Sequence, residues 1–468
     1  MAAPLRQFMI IFAHEHFDFR LSEVTSILSL LHIKAEVCQQ NHDAKQSPFL
    51  MLKFPNEESV HKYMTRSILG RTVMEVLAHG PTRASVCEQL KALPAAETSR
   101  YCSEENSFCW RVHSFGKKIK QDKRLDLIHQ FMVNLPLKGR VDLENPDDLF
   151  YICEDYGPNP NSAPEEPFYV YVGRKVSEGQ RYLAHQYSVK TRHFIGNTSM
   201  DAQLSLIMAN QGGVKPNMFV FDPFVGTGSL LVAAAHFGGY VAGCDINVNT
   251  IHGVGKSSRS FGKPRGEVTL RGNDENILAN MRQYNLHDRY LDVMVSDFAL
   301  NVWREQELFD VIVTDPPYGI REKTRKIGTN KHYDELEDQT LEGHIPSTMS
   351  YHLADIFKDL LNFSARYLRL HGRLVYWLPV VNAEYSDDHI PQHPCLKVIA
   401  NSEQKINMTI SRRLITMEKY QSMQNINPLD QVEAEIKTRT YEGSNAIRKI
   451  YFPNNSGCQS HNKSLPLT

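Results

Sequence analysis

The sequence lacks long apolar runs, paired cysteines and any appreciable net charge, and each lack closes off a class of protein. No run reaches the roughly 20 apolar residues that a membrane-spanning helix needs. The early apolar run Phe8–Ala13 is too short for a signal-peptide core, and His14, Glu15, His16 and Asp18 follow it. With no targeting signal, the expected location is the cytoplasm. The eight cysteines are Cys38, Cys87, Cys102, Cys109, Cys153, Cys244, Cys395 and Cys458, and none forms a CxxC pair. That scatter excludes a disulfide framework and a self-contained zinc site, so thiols are expected reduced and no metal is expected. A net charge of −1 provides no global attraction for nucleic acid, which leaves local patches to do so.

What is present is a chain of 468 residues, 41% hydrophobic, enough for two or three domains of roughly 150 residues each. Residues 1–80 read as strand, helix, strand, strand, helix, strand, the ferredoxin-like arrangement. The strands are Phe8–Phe12, Lys34–Val37, Pro48–Phe54 and Thr72–Ala78, with helices through Leu21–Leu31 and Glu57–Ser67. Residues 81–176 continue as α+β, with strands expected at Phe108–Val112, Arg140–Leu143, Leu149–Cys153 and Phe168–Val172. A basic run, Lys117, Lys118, Lys120, Lys123 and Arg124, opens a helix there, and Arg174 and Lys175 close the last strand. Such a run is either a solvated helix face or a phosphate contact. Residues 177–215 read as a linker carrying a second basic cluster, Lys190, Arg192 and His193.

From 216 to 420 strands alternate with helices, which predicts a doubly wound Rossmann-like sheet. Strands are expected at Met218–Phe221, Tyr240–Cys244, Leu291–Val295, Phe309–Thr314 and Arg373–Leu378, the last stopped by Pro379. Lys397–Ala400 and Arg413–Met417 read as a closing strand pair. Leu353, Ile356, Phe357, Leu360, Leu361 and Ser364 form a helix stripe expected to end at His371-Gly372. A Gly/Lys/Arg-rich insertion, Gly253–Gly266, and a polar loop, Arg321–Pro346, interrupt the pattern. Residues 421–468 form a polar tail.

The chemistry gathers at strand ends. Asp315-Pro316-Pro317-Tyr318-Gly319 follows a β-branched run that two prolines stop, because neither ring nitrogen donates to a ladder. In open α/β sheets ligands bind at that end. Stiff backbone aims the Pro316 carbonyl, Asp315 adds a second acceptor and Tyr318 a flat face. Together they can hold the exocyclic amine of a nucleobase, guanine and adenine alike. Upstream, Asp222 closes a strand before a turn holding Gly226 and Gly228, which admit close backbone approach, and a helix N-terminus that favours an anion. The third glycine of a pyrophosphate fingerprint is missing, since Leu231 stands there. Asp222 repels phosphate but accepts an ammonium, so an amino acid fits better. Asp245 closes the next strand and can accept ribose hydroxyls. Asp297, with Phe298 beside it, can accept an adenine amine. A lone acid at a strand end is ordinarily a solvated residue, whereas four at successive strand ends describe S-adenosylmethionine beside a target amine.

These residues resemble the (Asn/Asp)-Pro-Pro-Tyr signature of class I methyltransferases that act on amines, in the unpermuted order. From about residue 5 to about residue 420 the chain is similar to catalytic subunits of eukaryotic tRNA guanine-10-N2 methyltransferases. The carriers are Thr198–Asp201, Met208–Asn210, Asp222–Ser229, Asp315–Gly319 and an N-terminal half similar to a THUMP RNA-binding domain. The resemblance implies S-adenosylmethionine, a tRNA substrate and a small zinc-containing activator subunit in a heterodimer. It maps Asp222, Gly226, Gly228, Asp245 and Asp297 to the cofactor and Asp315, Pro316 and Tyr318 to the base pocket. The expected reaction is direct displacement by the guanine N2 amine, with no covalent enzyme intermediate.

Overall fold

The computed structural model describes residues 5–38, 46–259, 269–300, 302–319, 324–328, 346–423 and 434–436. Two compact units divide the chain, Met1–Leu183 and Ala184–Thr468. No helix among the described residues is long and apolar enough to cross a membrane.

The first unit opens with β1 (Arg6–Phe12), β2 (Glu36–Val37), β3 (Phe49–Phe54) and β4 (Gly70–Gly80), with helices Arg20–Leu30 and Glu57–Met64 between them. Their order β2-β3-β1-β4, antiparallel throughout, is the ferredoxin-like arrangement that the alternation predicts. β5 (Phe108–Phe115), β6 (Asp148–Asp155) and β7 (Tyr169–Glu178) follow. They do not form a separate sheet: β7 pairs antiparallel with β4, giving one seven-stranded sheet β2-β3-β1-β4-β7-β6-β5. The strand expected at Arg140–Leu143 reduces to a single bridge from Val141 to Phe108. Val141 and Leu143 in that segment are both exposed. β7 also runs past Gly173, where a stop was expected, because Arg174 finds acids to pair with on the same sheet.

The second unit holds β8 (Phe219–Asp222), β9 (Tyr240–Asp245), β10 (Tyr290–Val295) and β11 (Phe309–Thr314), then the small hairpin β12 (Arg325–Ile327) and β13 (Thr348–Ser350). β14 (Leu368–Val381), β15 (Leu396–Lys405) and β16 (Ile410–Lys419) complete it. The main sheet runs β10-β9-β8-β11-β14-β16-β15, parallel up to β14 and antiparallel in the final hairpin. β8 and β11 are neighbours with crossovers leaving in opposite directions, the switch point where such sheets bind ligands.

The helix Leu353–Tyr367 buries the expected stripe, Leu353, Ile356, Phe357, Leu360, Leu361 and Ser364. It stops at Tyr367, and β14 begins at once; His371 takes a left-handed φ of 64° as a kink within the strand. Pro379 does not stop β14. β11 leaves β14 after Tyr376, so on that side no ladder needs the missing N–H of Pro379. The stretch 177–215 is no simple linker. It contains the helix Ala202–Gln211, in which every residue is buried. Its N-terminus is capped by Asp201, whose carboxylate accepts from the Gln203 and Leu204 N–H groups. Residues 260–268 of the insertion, most of the loop from 320 to 345 and most of the tail lie outside the described residues.

Candidate active site

Asp222, Asp245, Asp297 and Asp315 stand at or just past the ends of β8, β9, β10 and β11, four strands adjacent in the sheet. The sheet therefore brings together one edge of acids that lie up to 93 residues apart in the chain (315 − 222). Asp222 is buried, and its Oδ1 accepts both from Thr314 Oγ1 (2.7 Å) and from the Phe224 N–H (3.0 Å). Burial pushes its carboxyl up to about 7, against those two hydrogen bonds and with a smaller push from Asp245 and Asp315. Because both partners converge on Oδ1, Oδ2 is the oxygen left for a ligand cation.

The turn after Asp222 is shaped by its glycines. Gly226 and Gly228 have φ of 48° and 77°, the left-handed region. A Cβ at Gly228 would sit 2.8 Å from Ile277, while one at Gly226 would meet nothing within 4 Å, so Gly226 faces open space. Asp245 fixes the turn from β9: it accepts from the Gly226 N–H (3.0 Å) and the Asn247 N–H (2.8 Å), and burial pushes its carboxyl up. Asp297 accepts from the Ala299 N–H (2.9 Å) and from the Ile327 N–H of β12 (2.5 Å). A carboxylate has about four lone-pair sites, so an amine can still join these two. Phe298 does not stand free beside it; its ring packs 5.0 Å from Phe224 and 5.3 Å from Phe363, as part of the wall.

The wall is finished by the segment expected as a linker. Arg192 is buried and donates to Ser229 Oγ (2.7 Å) at the start of the helix after the glycine turn, and to the Tyr187 carbonyl (2.7 Å). Ser199 Oγ bonds Thr227 Oγ1 at 2.7 Å. Arg192 thus supports the glycine turn from a buried position, where the sequence expectation placed it as an RNA contact.

Past β11 the chemistry changes. Asp315 Oδ1 is buried with no hydrogen-bond partner, and Oδ2 lies 3.6 Å from Arg412 Nη1. Burial pushes the carboxyl up to about 6, and Arg412 and the Tyr318 hydroxyl pull the other way. No described hydrogen-bond donor meets the Pro316 carbonyl. The Tyr318 hydroxyl accepts from Arg412 Nη1 at 3.3 Å. Arg412 itself is clamped: its guanidinium lies 3.9 Å over the Trp377 ring and Nε donates to Gln404 Oε1 (2.6 Å). This arginine is absent from every sequence expectation. It follows Asp315 by 97 positions (412 − 315), and only the β14–β16 register brings it to the motif.

The remaining basic residues divide. Lys118, Lys120, Lys123 and Lys190 are exposed. Arg124 is only partly so, with a buried Nε. Lys117 instead donates to the Pro164 (2.6 Å) and Glu165 (2.8 Å) carbonyls, and Lys175 pairs with Glu178 (2.5 Å). Arg174 is taken up by Glu57 and Glu75, a cluster that also holds Arg6 and Arg100. Among the described residues no group of His, Cys, Asp or Glu could hold a metal ion.

A family model described as the Tmrp11 THUMP N-terminal domain matches residues 6–181. A second, the RMKL-like methyltransferase domain, matches residues 190–344. The tRNA (guanine(10)-N(2))-methyltransferase TRMT11 of Gallus gallus is 46% identical over 448 residues, 96% of this chain and 95% of that protein. Its Homo sapiens counterpart is 44% identical over 455 residues, 97% and 96%. The crystal structure of TrmN from Thermus thermophilus aligns over 88% of this chain and 99% of its own at 14% identity, with a TM-score of 0.41.

Proposed function

The chain belongs to the tRNA (guanine(10)-N(2))-methyltransferase family, and from that premise we propose that it methylates the exocyclic N2 amine of guanosine 10 in tRNA, using S-adenosylmethionine. The bound cofactor supplies an electrophilic methyl group. The residues at the strand ends fit it. Asp222 Oδ2 suits the ammonium of its amino-acid part, and the open face at Gly226 with the following helix N-terminus suits the carboxylate. Asp245 suits the ribose hydroxyls and Asp297 the adenine amine.

The observation that carries the reading is Thr314, whose hydroxyl bonds Asp222 while its peptide leads directly into Asp315. Donor and acceptor sides of the site are thereby locked one residue apart. A guanine amine is a poor nucleophile because its lone pair is delocalised into the ring. Asp315 and the Pro316 carbonyl would accept its two protons, localising the pair and aiming it, an effect of positioning. Tyr318 would stack on the displaced base, worth about 1–3 kcal/mol. A carboxyl at about 6 is also suited to take the proton that the methylated amine sheds.

In this reading the first unit holds tRNA, with the exposed Lys118, Lys120 and Lys123 as phosphate contacts and Lys190 adding one from the second unit. A small zinc-containing activator would complete a heterodimer. β10 supports this: it is the edge of its sheet and exposes Leu291 and Val295. The compartment proposed is the cytoplasm. The test is transfer of labelled methyl to unmodified tRNA, with and without the activator, followed by nucleoside mapping. N2-methylguanosine at position 10 is expected. Label on adenosine instead, or no transfer while the cofactor binds, would overturn the reading.

A further inference from the structure

Asp315-Pro-Pro-Tyr by itself leaves guanine and adenine equivalent, since each offers an exocyclic amine. The two bases differ in what lies beside that amine. The amine of guanine lies next to a ring N1–H, a donor, whereas the amine of adenine lies next to a bare N1, an acceptor. A charged carboxylate accepts at both oxygens, so it matches the guanine edge with two parallel hydrogen bonds and meets the adenine N1 with repulsion.

We propose that Arg412 and Asp315 form a guanine-selecting pair, in which Arg412 holds the Asp315 carboxylate in its charged form so that both oxygens accept from the N1–H and N2–H edge. This rests on the N2-guanosine reading above and adds a specificity determinant and a positioning residue to it. Three observations carry it. Asp315 Oδ1 is buried with its hydrogen-bonding capacity unused. The cation is placed on the other oxygen, 3.6 Å from Oδ2, so the lone pairs of Oδ1 stay uncommitted. And Arg412 is fixed in place by Gln404, Trp377 and Tyr318, so its charge is held at the acceptor. Among the described residues the titratable and charged groups facing Asp315 are Arg412 from β16, Tyr318 from its own turn and Asp222 from β8. Tyr318 keeps its proton, since burial pushes the phenol up, and Asp222 carries the opposite sign to Arg412. Arg412 is therefore the one cation in that set.

The second amine proton is left for the Pro316 carbonyl, so every polar hydrogen on that edge of the base has an acceptor. An asparagine at 315 would behave differently. Its oxygen would still accept from the amine, but its NH2 would donate, which suits a bare N1.

The test uses full-length protein with its activator. The substrates are tRNA carrying guanosine, 2-aminopurine or adenosine at the target position; 2-aminopurine keeps the N2 amine and lacks the N1–H. The proteins are wild type, Asp315→Asn, Arg412→Gln and Arg412→Lys, with S-adenosylmethionine binding by calorimetry as the check on folding. Wild type should prefer guanosine to 2-aminopurine in kcat/KM by about tenfold to a hundredfold, the discrimination of one bidentate pair. Asp315→Asn should shrink that ratio at least about tenfold. Arg412→Gln should be slow at neutral pH and recover as the pH is raised from about 5.5 to about 8.5, whereas Arg412→Lys keeps the wild-type profile. An unchanged guanosine to 2-aminopurine ratio in Asp315→Asn would overturn the proposal. So would an Arg412→Gln defect equal at every pH, the mark of a merely structural role. Wild type acting equally on guanosine and 2-aminopurine would remove the selecting pair and leave the N2-guanosine reading standing. Preference for adenosine would remove both.

Discussion

Glu75 in the first unit and Asp222 in the second are both buried, yet Glu75 meets Arg6, Arg100 and Arg174, while Asp222 meets no cation among the described residues. Around Glu75 the arginines also share Glu57, so charge closes on charge inside the sheet. Asp222 is given one hydroxyl and one N–H, both on the same oxygen. The first arrangement consumes its acids and serves packing. The second keeps acceptor capacity in reserve, at a cost in stability that a ligand cation would offset. Asp315 lies between the two extremes, with one cation and one idle oxygen.

The sharpest way to expose this contrast is to remove an acid from each unit. Asp315→Ala should lose about a thousandfold or more in methyl transfer while binding S-adenosylmethionine normally, because positioning of the base is lost and the cofactor turn is untouched. Labelled transfer and calorimetry check both halves, and normal turnover would end the assignment. Glu75→Ala should do the reverse. Arg6, Arg100 and Arg174 would keep only Glu57 of the two acids they share, and the first unit should lose about 2–3 kcal/mol, less than a fully buried pair because Arg6 and Arg100 are partly exposed. Cofactor binding should not change. Denaturant unfolding followed by a probe in the first unit measures it.

The pH response should separate the units by sign. The Asp222 carboxyl sits at about 7 in the fold and in the ordinary carboxylate range when unfolded. Its contribution to stability is therefore fully present below the unfolded value and lost as pH rises through about 7. Burial alone would also push Glu57 up, but Arg174, then Arg100 and Arg6, draw it below its usual value; its contribution is present above that range and lost as pH falls. Asp222→Asn keeps an oxygen for Thr314 and the Phe224 N–H. In the ligand-free protein its melting temperature should therefore rise above wild type as the pH goes from about 5 to about 8, by about 2–4 °C for each kcal/mol relieved. A gap between the two that does not widen with pH would show that Asp222 is not charged at the expense of the fold. The smallest effect belongs to the surface. Lys118→Ala, Lys120→Ala and Lys123→Ala combined should weaken tRNA binding several-fold and flatten its salt dependence by about 0.7–0.9 per lost phosphate contact. A salt slope equal to wild type would move the RNA elsewhere.

Much of the site was legible because each strand-end acid sits at a local break. Short apolar runs end at Asp222, Asp245 and Asp315, and proline follows at two of the three. The ferredoxin-like order was legible for the same reason, since period-two and helical spacing alternate cleanly there. Arg412 was not. It lies inside a strand, beside another arginine, with nothing local to distinguish it. Arg174 and Arg192 misled because a basic residue reads alike whether solvated or paired, and burial decides which. The helix Ala202–Gln211 escaped because it is buried on all sides and so shows no apolar stripe. Pro379 misled because whether a proline breaks a strand depends on how far the neighbouring strand extends, a fact of the sheet and not of the residue.

The segment from Ala184 to Asn210 bears on how this enzyme could be taken apart. Through Arg192 to Ser229 and Ser199 to Thr227 it braces the turn that would receive the methyl donor, and through Tyr187 to His236 the far end of the helix that follows. A fragment trimmed to begin at the first strand of the second sheet would lose its scaffolding and arrive as a sheet without a working cofactor cleft. The portable module, the piece that could be grafted onto a different RNA reader, therefore begins near Ala184. Between the two functions there is less spare chain than a map of motifs suggests, and an engineered exchange of readers would have to be joined upstream of that brace.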